Sequence, residues 1–389
     1  EFVVWTSEGT VERAFVPTGK TFVARQAHFQ RVLDGLVVVA QPGDALDVQD
    51  VALLDAVLFA TGFDHCVHRK RAPRVSPTER RKAKCSTPPP AGQTSGARAR
   101  FPPMLLRLFG RATVPVHRLL GGRRFDFEAA GVTVPVWEFG PADGEPWLLL
   151  HGLASSALAW RPIVRELAGC RLLVPELSPW AGGPPALTLA QGVALASGLI
   201  ERRLGGGPAT VAGMSLGGWI AVRLALARPE LVSRLLLVDA AGWRDQDWER
   251  IERLVRVETR RDLSALYDAI FSRVPWSLQV VREGFYHAYR SQGVASTLDS
   301  VTESQVYGPA EMARLAVPVG VVWGVDDGLF TARVARETAQ HARQGRLWLL
   351  PDCGHNPHWE APGRFRRVVR EFRDWAKIPP WPDPTSSSV

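Results

Sequence analysis

The segment VAGMSLGGWI, residues 211–220, carries one serine between glycines where a β-rich run gives way to a helix-like one. The apolar run before Ser215 is typical of a buried strand and the run after it of a helix. A residue at the tip of such a sharp turn takes a strained backbone conformation that exposes its side chain. Strand and helix then pass so closely that Gly213 and Gly217 can carry no bulk. The segment therefore predicts an exposed hydroxyl at a helix N-terminus.

A serine hydroxyl in this position is suited to nucleophilic attack if other groups activate it. The helix N-terminus directs the Leu216 amide to where negative charge would develop on a substrate carbonyl oxygen. The hydroxyl also needs a base, and the base needs a group that orients it. His355 directly follows the last predicted strand, and we choose it as the base over the nearby His358. Three carboxylates end predicted strands and are candidates for the orienting acid: Asp239, Asp326 and Asp327.

Outside this segment, strand-like runs alternate with helical patterns. FDFEAA and VTVPVWEF, within 125–139, predict a hairpin, and ALAWRPIVRELA, residues 157–168, predicts an amphipathic helix. The alternation predicts an α/β fold with a mostly parallel central sheet and helices on both faces. From residue 243 to about 315 the pattern is helical only. This predicts a helical cap, inserted before the penultimate strand and folded over the edge of the sheet where ligands bind.

The net charge of +8 is concentrated in one segment. Residues 65–100 hold ten Lys or Arg against one acidic residue and are rich in Pro, Gly, Ser and Thr, which predicts a solvated linker. A basic arm that contacts RNA or anionic lipid is the alternative. The domain prediction is an appendage of unknown role at 1–64, a linker at 65–110, a core at 111–242 with 316–377, a cap at 243–315 and a disordered tail at 378–389.

Four motifs in order resemble the capped serine hydrolases of the α/β-hydrolase superfamily. They are HG after an early strand, GxSxG, WGxxD and GHxPHxE, and the resemblance covers about residues 125–376. It implies the α/β-hydrolase fold, with Ser215 as nucleophile and His355 as base. It places the acid at Asp327 rather than at Asp326.

The resemblance also implies a second oxyanion amide, from Leu153 after the HG motif. One stretch departs from the superfamily pattern, because PELSPWAGGP stands where an acidic residue and a small glycine-rich turn are common. Its acidic residue is Glu176. Serine at the nucleophile position speaks against the dehalogenase and epoxide-hydrolase branches, which attack with a carboxylate.

We expect a serine carboxylic-ester hydrolase that acts through an acyl-enzyme on short to medium acyl esters, among them monoacylglycerols. A carbon–carbon bond hydrolase of ring-cleavage products is the enzymatic alternative, and a non-catalytic small-molecule-binding hydrolase fold is the other. Aromatic residues of the predicted cap are candidates for the acyl pocket, although an amphipathic helix can bury such residues in the core instead. These candidates are Phe271, Trp276, Phe285, Tyr286 and Tyr289.

Composition bounds the cofactors, partners and compartment. Four cysteines are scattered without a CxxC pair, so we expect neither a disulfide framework nor a metal site, and no cofactor. No apolar run reaches the roughly 18 residues that span a bilayer. We expect a cytoplasmic protein with a small-molecule ester as its partner, no nucleic acid and no stable membrane insertion, and leave its oligomeric state open.

LLDAVLFATGFDH, residues 53–65, resembles the ATGF segment of flavin-dependent monooxygenases of the Baeyer–Villiger type. No GxGxxG precedes it, so the region cannot bind a dinucleotide by itself. A remnant of an oxygenase and an unrelated packing appendage are both open interpretations.

Overall fold

The computed structural model describes residues 117–177, 187–275, 278, 282–290 and 292–375, together with four short strands nearer the N-terminus. Those strands form two antiparallel pairs: β1 (Phe2–Trp5) with β2 (Val11–Ala14), and β3 (Phe22–Val23) with β4 (Ala45–Leu46). All four belong to a unit made of residues 1–27 and 39–102. The ATGF-like segment, the linker prediction at 65–110 and the tail prediction at 378–389 lie outside the described residues.

A twisted eight-stranded sheet forms the centre of the second unit, in the order β12-β11-β10-β9-β7-β8-β6-β5. Its strands are β5 (Arg123–Ala129), β6 (Val132–Phe139), β7 (Glu145–Leu150), β8 (Cys170–Pro175), β9 (Ala209–Met214), β10 (Val232–Val238), β11 (Val319–Gly324) and β12 (Gly345–Leu350). Within this sheet β6 alone runs in the direction opposite to the other seven strands. The predicted mostly parallel sheet is therefore confirmed.

The predicted hairpin is confirmed as the pair β5 and β6. Its two turn residues, Ala130 and Gly131, have φ values of 51° and 73°. Positive φ at both central residues of a two-residue loop matches the right-handed twist of the flanking strands.

The helices lie between and after these strands. They are α1 (Arg161–Val164), α2 (Leu189–Arg203), α3 (Leu216–Ala227), α4 (Trp248–Val255), α5 (Arg260–Ile270), α6 (Arg282–Tyr289), α7 (Gln292–Asp299), α8 (Pro309–Arg314), α9 (Ala332–His341), α10 (Pro357–Glu360) and α11 (Pro362–Trp375). Helices α4 to α8 all fall between β10 and β11, which confirms a helical insertion before the penultimate strand of the sheet.

Two hydrophobic cores, one on each face of the sheet, hold these layers together. Alternate residues of one strand enter different cores: Leu148 and Leu150 belong to one, Trp147 and Leu149 to the other. The first core includes residues of α2, α3 and the insertion, and the second includes residues of α11 such as Phe372. Because successive side chains of a strand point to opposite faces, a strand buried on both faces reads as one continuous apolar run.

The sequence prediction of one helix over 157–168 was wrong. The structure has a 3-10 turn at Ala157–Trp160, then the single-turn helix α1, and turns up to the next strand. Pro162 lies in the first turn of α1, where its missing N–H costs nothing but prevents an earlier helix from continuing through it. A prediction from the spacing of apolar residues overestimates the length of this helix if it ignores Pro162.

Candidate active site

Ser215 lies between the end of β9 and the start of α3 in a conformation that few non-glycine residues adopt. Its φ is 51° and its ψ is −118°. Three backbone hydrogen bonds maintain this conformation: the Ser215 N–H donates to the Val238 carbonyl at 3.0 Å, and the Ser215 carbonyl accepts from the N–H groups of Trp219 at 3.1 Å and Ala241 at 3.0 Å. Such strain persists only where the surroundings over-determine it.

The glycines around Ser215 permit the close passage of strand and helix. A Cβ on Gly213 would lie 2.3 Å from the Gly217 carbonyl oxygen, and a Cβ on Gly217 would lie 2.1 Å from the Leu150 carbonyl oxygen. A Cβ on Gly218 would lie 2.5 Å from the Ala240 Cβ. These distances are far shorter than van der Waals contact, so no larger residue fits without moving backbone.

His355 and Asp327 form a buried pair. The Nδ1 atom of His355 lies 2.8 Å from Oδ2 of Asp327, and both side chains are buried. The other carboxylate oxygen of Asp327, Oδ1, accepts from the N–H groups of Leu329 at 2.8 Å and Phe330 at 3.0 Å. With its carboxylate fixed by two amides, Asp327 orients the imidazole, and the Nε2 atom of His355 has no hydrogen bond to another described residue.

The other two candidate acids are placed differently. Asp326 is exposed, and its Oδ2 accepts from the Ser272 hydroxyl at 2.7 Å. Asp239 is fully buried, and its Oδ1 accepts from the Gly324 N–H at 2.9 Å. Its Oδ2 has no hydrogen-bond partner among the described residues. Burial, with the Asp327 carboxylate beside it, raises the pKa of Asp239 well above its usual range. The raised pKa favours the neutral form of Asp239, which reduces charge repulsion between the two neighbouring carboxyl groups.

Asp239, Asp327 and His355 each offer a ligand atom within 4.8 Å of the others, a grouping that occurs once among the described His, Cys, Asp and Glu side chains. The carboxylate of Asp327 is already engaged by its hydrogen bonds to His355 and to two backbone amides.

Among the residues that the structure describes, no helix is both long and apolar enough to cross a membrane.

Ser215 and His355 line one cavity, but the described part of the chain records no hydrogen bond between them. Leu153 and Leu216 line this cavity too. Neither of their backbone N–H groups donates to another group of the described residues, which leaves both amides available to a bound molecule. The structure thus collects the predicted hydroxyl, imidazole and amides around one space.

The HG turn that carries Leu153 is held by a neutral histidine. The His151 Nε2 atom accepts from the Leu177 N–H at 2.8 Å, so the proton must be on Nδ1, which lies 2.9 Å from the Gly152 carbonyl oxygen. Burial lowers the pKa of His151 to about 4. Glu176 contributes on the other side, because its Oε2 accepts from the Ala157 N–H at 3.1 Å.

Glu176 is the acidic residue of the stretch that departs from the superfamily pattern. Burial raises its pKa to about 7, although the Ala157 N–H opposes that rise. Its Oε2 also lies 3.6 Å from Nε2 of His151, but this contact is not an ion pair because Nε2 acts as an acceptor there. The rest of the departing stretch, residues 178–184, lies outside the described residues.

The cavity has about 910 Å³ of empty space, part of it open to solvent. Its apolar wall combines side chains of the helical insertion with residues of the loops that follow the sheet strands. Three residues of the predicted set line it: Phe271, Phe285 and Tyr289. Trp276 lies outside the described residues. Several other lining residues were not predicted from the sequence, namely Trp248, Ile251, Val255, Leu298, Val301, Leu329 and Phe330. The strongly amphipathic pattern of α4 and the position of Phe330 after WGxxD were the available signals.

The prediction for Tyr286 was wrong, because this residue does not line the cavity. Its hydroxyl donates to the Glu258 carbonyl at 3.0 Å, and the guanidinium groups of Arg260 and Arg290 lie 4.9 Å and 5.3 Å from its ring centre. Those interactions turn the side chain into the core of the insertion. Helical spacing alone did not distinguish its face of α6 from that of Tyr289.

His358, the rival base, is buried with neither ring nitrogen partnered by a described residue. Burial, and then the nearby His355 and Arg161, lower its pKa to about 3. It is absent from the cavity lining. The geometry therefore favours His355 over His358 for contact with a substrate.

Comparison with known proteins agrees with this architecture. The model of a family described as "Alpha/beta hydrolase family" matches residues 147–368. The chain is 26% identical over 248 residues to Lipase 3 of Moraxella sp. (strain TA144), which covers 60% of this chain and 79% of that lipase. It is 24% identical over 264 residues to a 2-hydroxy-6-oxononadienedioate/2-hydroxy-6-oxononatrienedioate hydrolase of Burkholderia vietnamiensis (strain G4 / LMG 22486), covering 59% of this chain and 86% of that protein.

Solved structures share the fold. The carboxylesterase CesB (YbfK) from Bacillus subtilis superposes with a TM-score of 0.57 at 18% sequence identity, and the match covers 69% of this chain and 98% of that one. At this identity the likeness extends to the fold alone.

Proposed function

The chain belongs to the alpha/beta hydrolase family, and from that premise we propose that it is a serine carboxylic-ester hydrolase that works through an acyl-enzyme. Its substrates in this proposal are short to medium acyl esters, monoacylglycerols among them. The observation that carries the proposal is the buried pair of His355 and Asp327, whose imidazole lines the same cavity as the strained Ser215.

The chemistry follows from this pair. Asp327 holds the Nδ1–H of His355, so Nε2 accepts the proton of Ser215 as Oγ attacks the ester carbonyl. The tetrahedral intermediate collapses, and the imidazolium returns that proton to the departing alcohol. Water then attacks the acyl-enzyme with His355 again as base, which releases the carboxylic acid and restores the Ser215 hydroxyl.

The amides of Leu153 and Leu216 would bind the oxyanion in both steps. The first follows the HG turn, which the hydrogen bonds of His151 hold, and the second begins α3. Removing one oxyanion donor typically lowers kcat by about 10²- to 10³-fold. The absence of a Ser215–His355 hydrogen bond is compatible with this chemistry, because such bonds are often long before a substrate binds and shorten in the complex.

The cavity wall supports a neutral, apolar acyl group. Its described lining contains no Lys or Arg, and His355 is its one titratable imidazole. The Burkholderia relative is named for a dioate, and a doubly charged substrate needs cationic partners when it is buried. The described lining therefore favours an ester over a ring-cleavage product for this chain.

Two measurements test the proposal. A fluorophosphonate probe should label the wild-type protein and a Ser304→Ala control, in which an exposed serine of the insertion is lost, but should not label Ser215→Ala. Equal labelling of wild type and Ser215→Ala would show that Ser215 is not activated, as expected of a non-catalytic binding protein. Turnover of p-nitrophenyl acetate, butyrate and octanoate, compared with a dienoate ketone, separates ester from carbon–carbon hydrolysis.

A further inference from the structure

The glutamate that ends the GHxPHxE motif takes no part in the chemistry above, yet its carboxylate makes an unusual set of contacts. One oxygen of Glu360, Oε1, accepts from the Gly354 N–H at 3.0 Å and from the Asn356 N–H at 3.4 Å. These two amides flank His355. The contact therefore restrains the loop on both sides of the imidazole.

The other oxygen of Glu360 binds a different part of the chain. Oε2 accepts from the Ser272 N–H at 2.8 Å and from the Arg273 N–H at 3.3 Å, in the segment directly after α5. Each carboxylate oxygen thus serves one segment, and the side chain bridges the helical insertion and the histidine loop. Burial raises the pKa of Glu360, and the four amides oppose that rise because they favour the charged form.

The two bridged segments also contact each other directly. The Ile270 carbonyl, the last of α5, accepts from the His355 N–H at 2.8 Å and from the Asn356 side-chain amide at 3.2 Å. Gly354 packs so closely on α5 that a Cβ there would lie 2.7 Å from the Ile270 carbonyl oxygen and 2.9 Å from the Phe271 Cα. The histidine loop thus rests on the end of this helix.

The loop that carries the acid rests on the same helix end. The Gly328 N–H donates to the Ala269 carbonyl at 2.8 Å, and the Ser272 hydroxyl donates to Asp326 at 2.7 Å. Both residues of the acid loop are direct neighbours of Asp327. One turn of the insertion therefore contacts the loops of both the acid and the base.

We propose that Glu360 is a positioning residue, which fastens the His355 loop to the end of α5 so that the helical insertion sets where the imidazole lies relative to Ser215. What the imidazole does there rests on the proposed function, but the fastening itself does not. An alternative is that Glu360 only stabilises the fold. The two differ because a positioning role predicts a change at His355 in protein that is fully folded.

The sharpest variant is Glu360→Gln. Glutamine keeps the shape of the side chain and one acceptor oxygen. Its NH₂ group would face two backbone N–H donors, so the hydrogen bonds to one of the two segments would be lost. A matched control is Glu311→Gln, since Glu311 also accepts from a backbone N–H of the insertion, that of Gly308 at 2.9 Å, and lies outside the cavity lining.

Two readouts are compared at a temperature where both variants are folded by circular dichroism. The first is the low-field proton resonance of the His355–Asp327 hydrogen bond, recorded without substrate, which Glu360→Gln should shift or broaden and Glu311→Gln should not. The second is turnover of p-nitrophenyl butyrate. Glu360→Gln should lower kcat roughly 10- to 100-fold with KM changed less than about threefold, because a displaced base affects the reaction more than ground-state binding.

A Glu360→Gln protein with an unchanged low-field resonance and kcat within twofold of wild type would overturn the proposal. If wild-type protein hydrolyses no ester, the proposed function fails, whereas the resonance still tests the fastening. Should Glu360→Gln not fold, Asn356→Ala removes only the side-chain amide that donates to Ile270. That variant is expected to broaden the same resonance, and an unchanged resonance in it would count against the proposal.

Discussion

Oδ2 of Asp327 lies 2.8 Å from Nδ1 of His355, and the partner oxygen Oδ1 is held by two backbone amides of the following turn. An acid fixed in this way restrains the imidazole through Nδ1, while the Nε2 atom of His355 remains available to the cavity. The same sequence offered two other carboxylates at strand ends, and neither of them contacts the imidazole by a hydrogen bond in the described structure.

The role of the acid gives the first prediction. Asp327→Asn should lower kcat by roughly 10³- to 10⁴-fold, because an amide can hold the wrong tautomer of His355. Asp326→Asn and Asp239→Asn should lower it by far less, since neither carboxylate accepts from the ring. Steady-state kinetics with p-nitrophenyl butyrate measures kcat for the three variants. A larger loss in Asp239→Asn than in Asp327→Asn would transfer the role to the other carboxyl group.

The turn at Ser215 gives a prediction about stability. Gly217→Ala places a Cβ 2.1 Å from the Leu150 carbonyl oxygen, so β7 and α3 must separate, and we expect a loss of at least about 3 kcal/mol in the free energy of unfolding. Gly207→Ala, with no atom within 4 Å of the added Cβ, is the matched control and should change it by less than about 0.5 kcal/mol. Urea unfolding monitored by tryptophan fluorescence measures both, and similar values would contradict the close passage.

Acid sensitivity follows from two buried histidines, His151 and His358, whose pKa values are lowered by burial. Burial lowers the pKa of His151 to about 4 and that of His358 to about 3, whereas both titrate near 6.5 in the unfolded chain. Between those values the unfolded state binds more protons, so stability is complete above about pH 6.5 and is lost as the pH falls. Within this window, each histidine lowers the free energy of unfolding by up to roughly 1.4 kcal/mol for each unit by which the pH falls.

His358→Gln tests that contribution, since glutamine does not titrate. The free energy of unfolding, measured in urea at intervals from pH 7 to pH 4.5, should fall less steeply for His358→Gln than for wild type. Identical slopes would mean that His358 is protonated in the folded protein. That result would contradict the expectation from its burial without a hydrogen-bond partner among the described residues.

The cavity wall gives a prediction about chain length. Ile251 of α4 is buried and lines the cavity, so Ile251→Trp should fill part of the space. The ratio of kcat/KM for p-nitrophenyl octanoate to that for the acetate should fall by roughly tenfold or more, as one or two methylenes of apolar contact are lost. Ile251→Leu conserves volume and should keep the ratio within about threefold. A ratio that stays constant in Ile251→Trp would place the acyl chain elsewhere.

Local chemistry was enough to predict much of the fold. Buried strands read as continuous apolar runs, and the glycines around Ser215 reported a turn whose tight packing the structure shows. Where local rules compete, the sequence was a poorer guide: the apolar period at 157–168 predicted one helix, and the structure has a 3-10 turn and the single turn α1, with Pro162 at its start.

Chain order and motif spacing were enough to indicate the hydroxyl, the imidazole and a set of acids, because parallel strands bring their carboxyl ends to one edge of the sheet. The WGxxD motif already pointed to Asp327 among these acids. Only the tertiary structure showed the hydrogen bond between Asp327 and His355, the burial of Asp239 near them and the turn of Tyr286 into the core. It alone joined Glu360 to amides nearly 90 residues away. The physical reason is that hydrogen bonds and burial act between atoms close in space, and residues distant along the chain become neighbours only when the whole sheet and its insertion have packed.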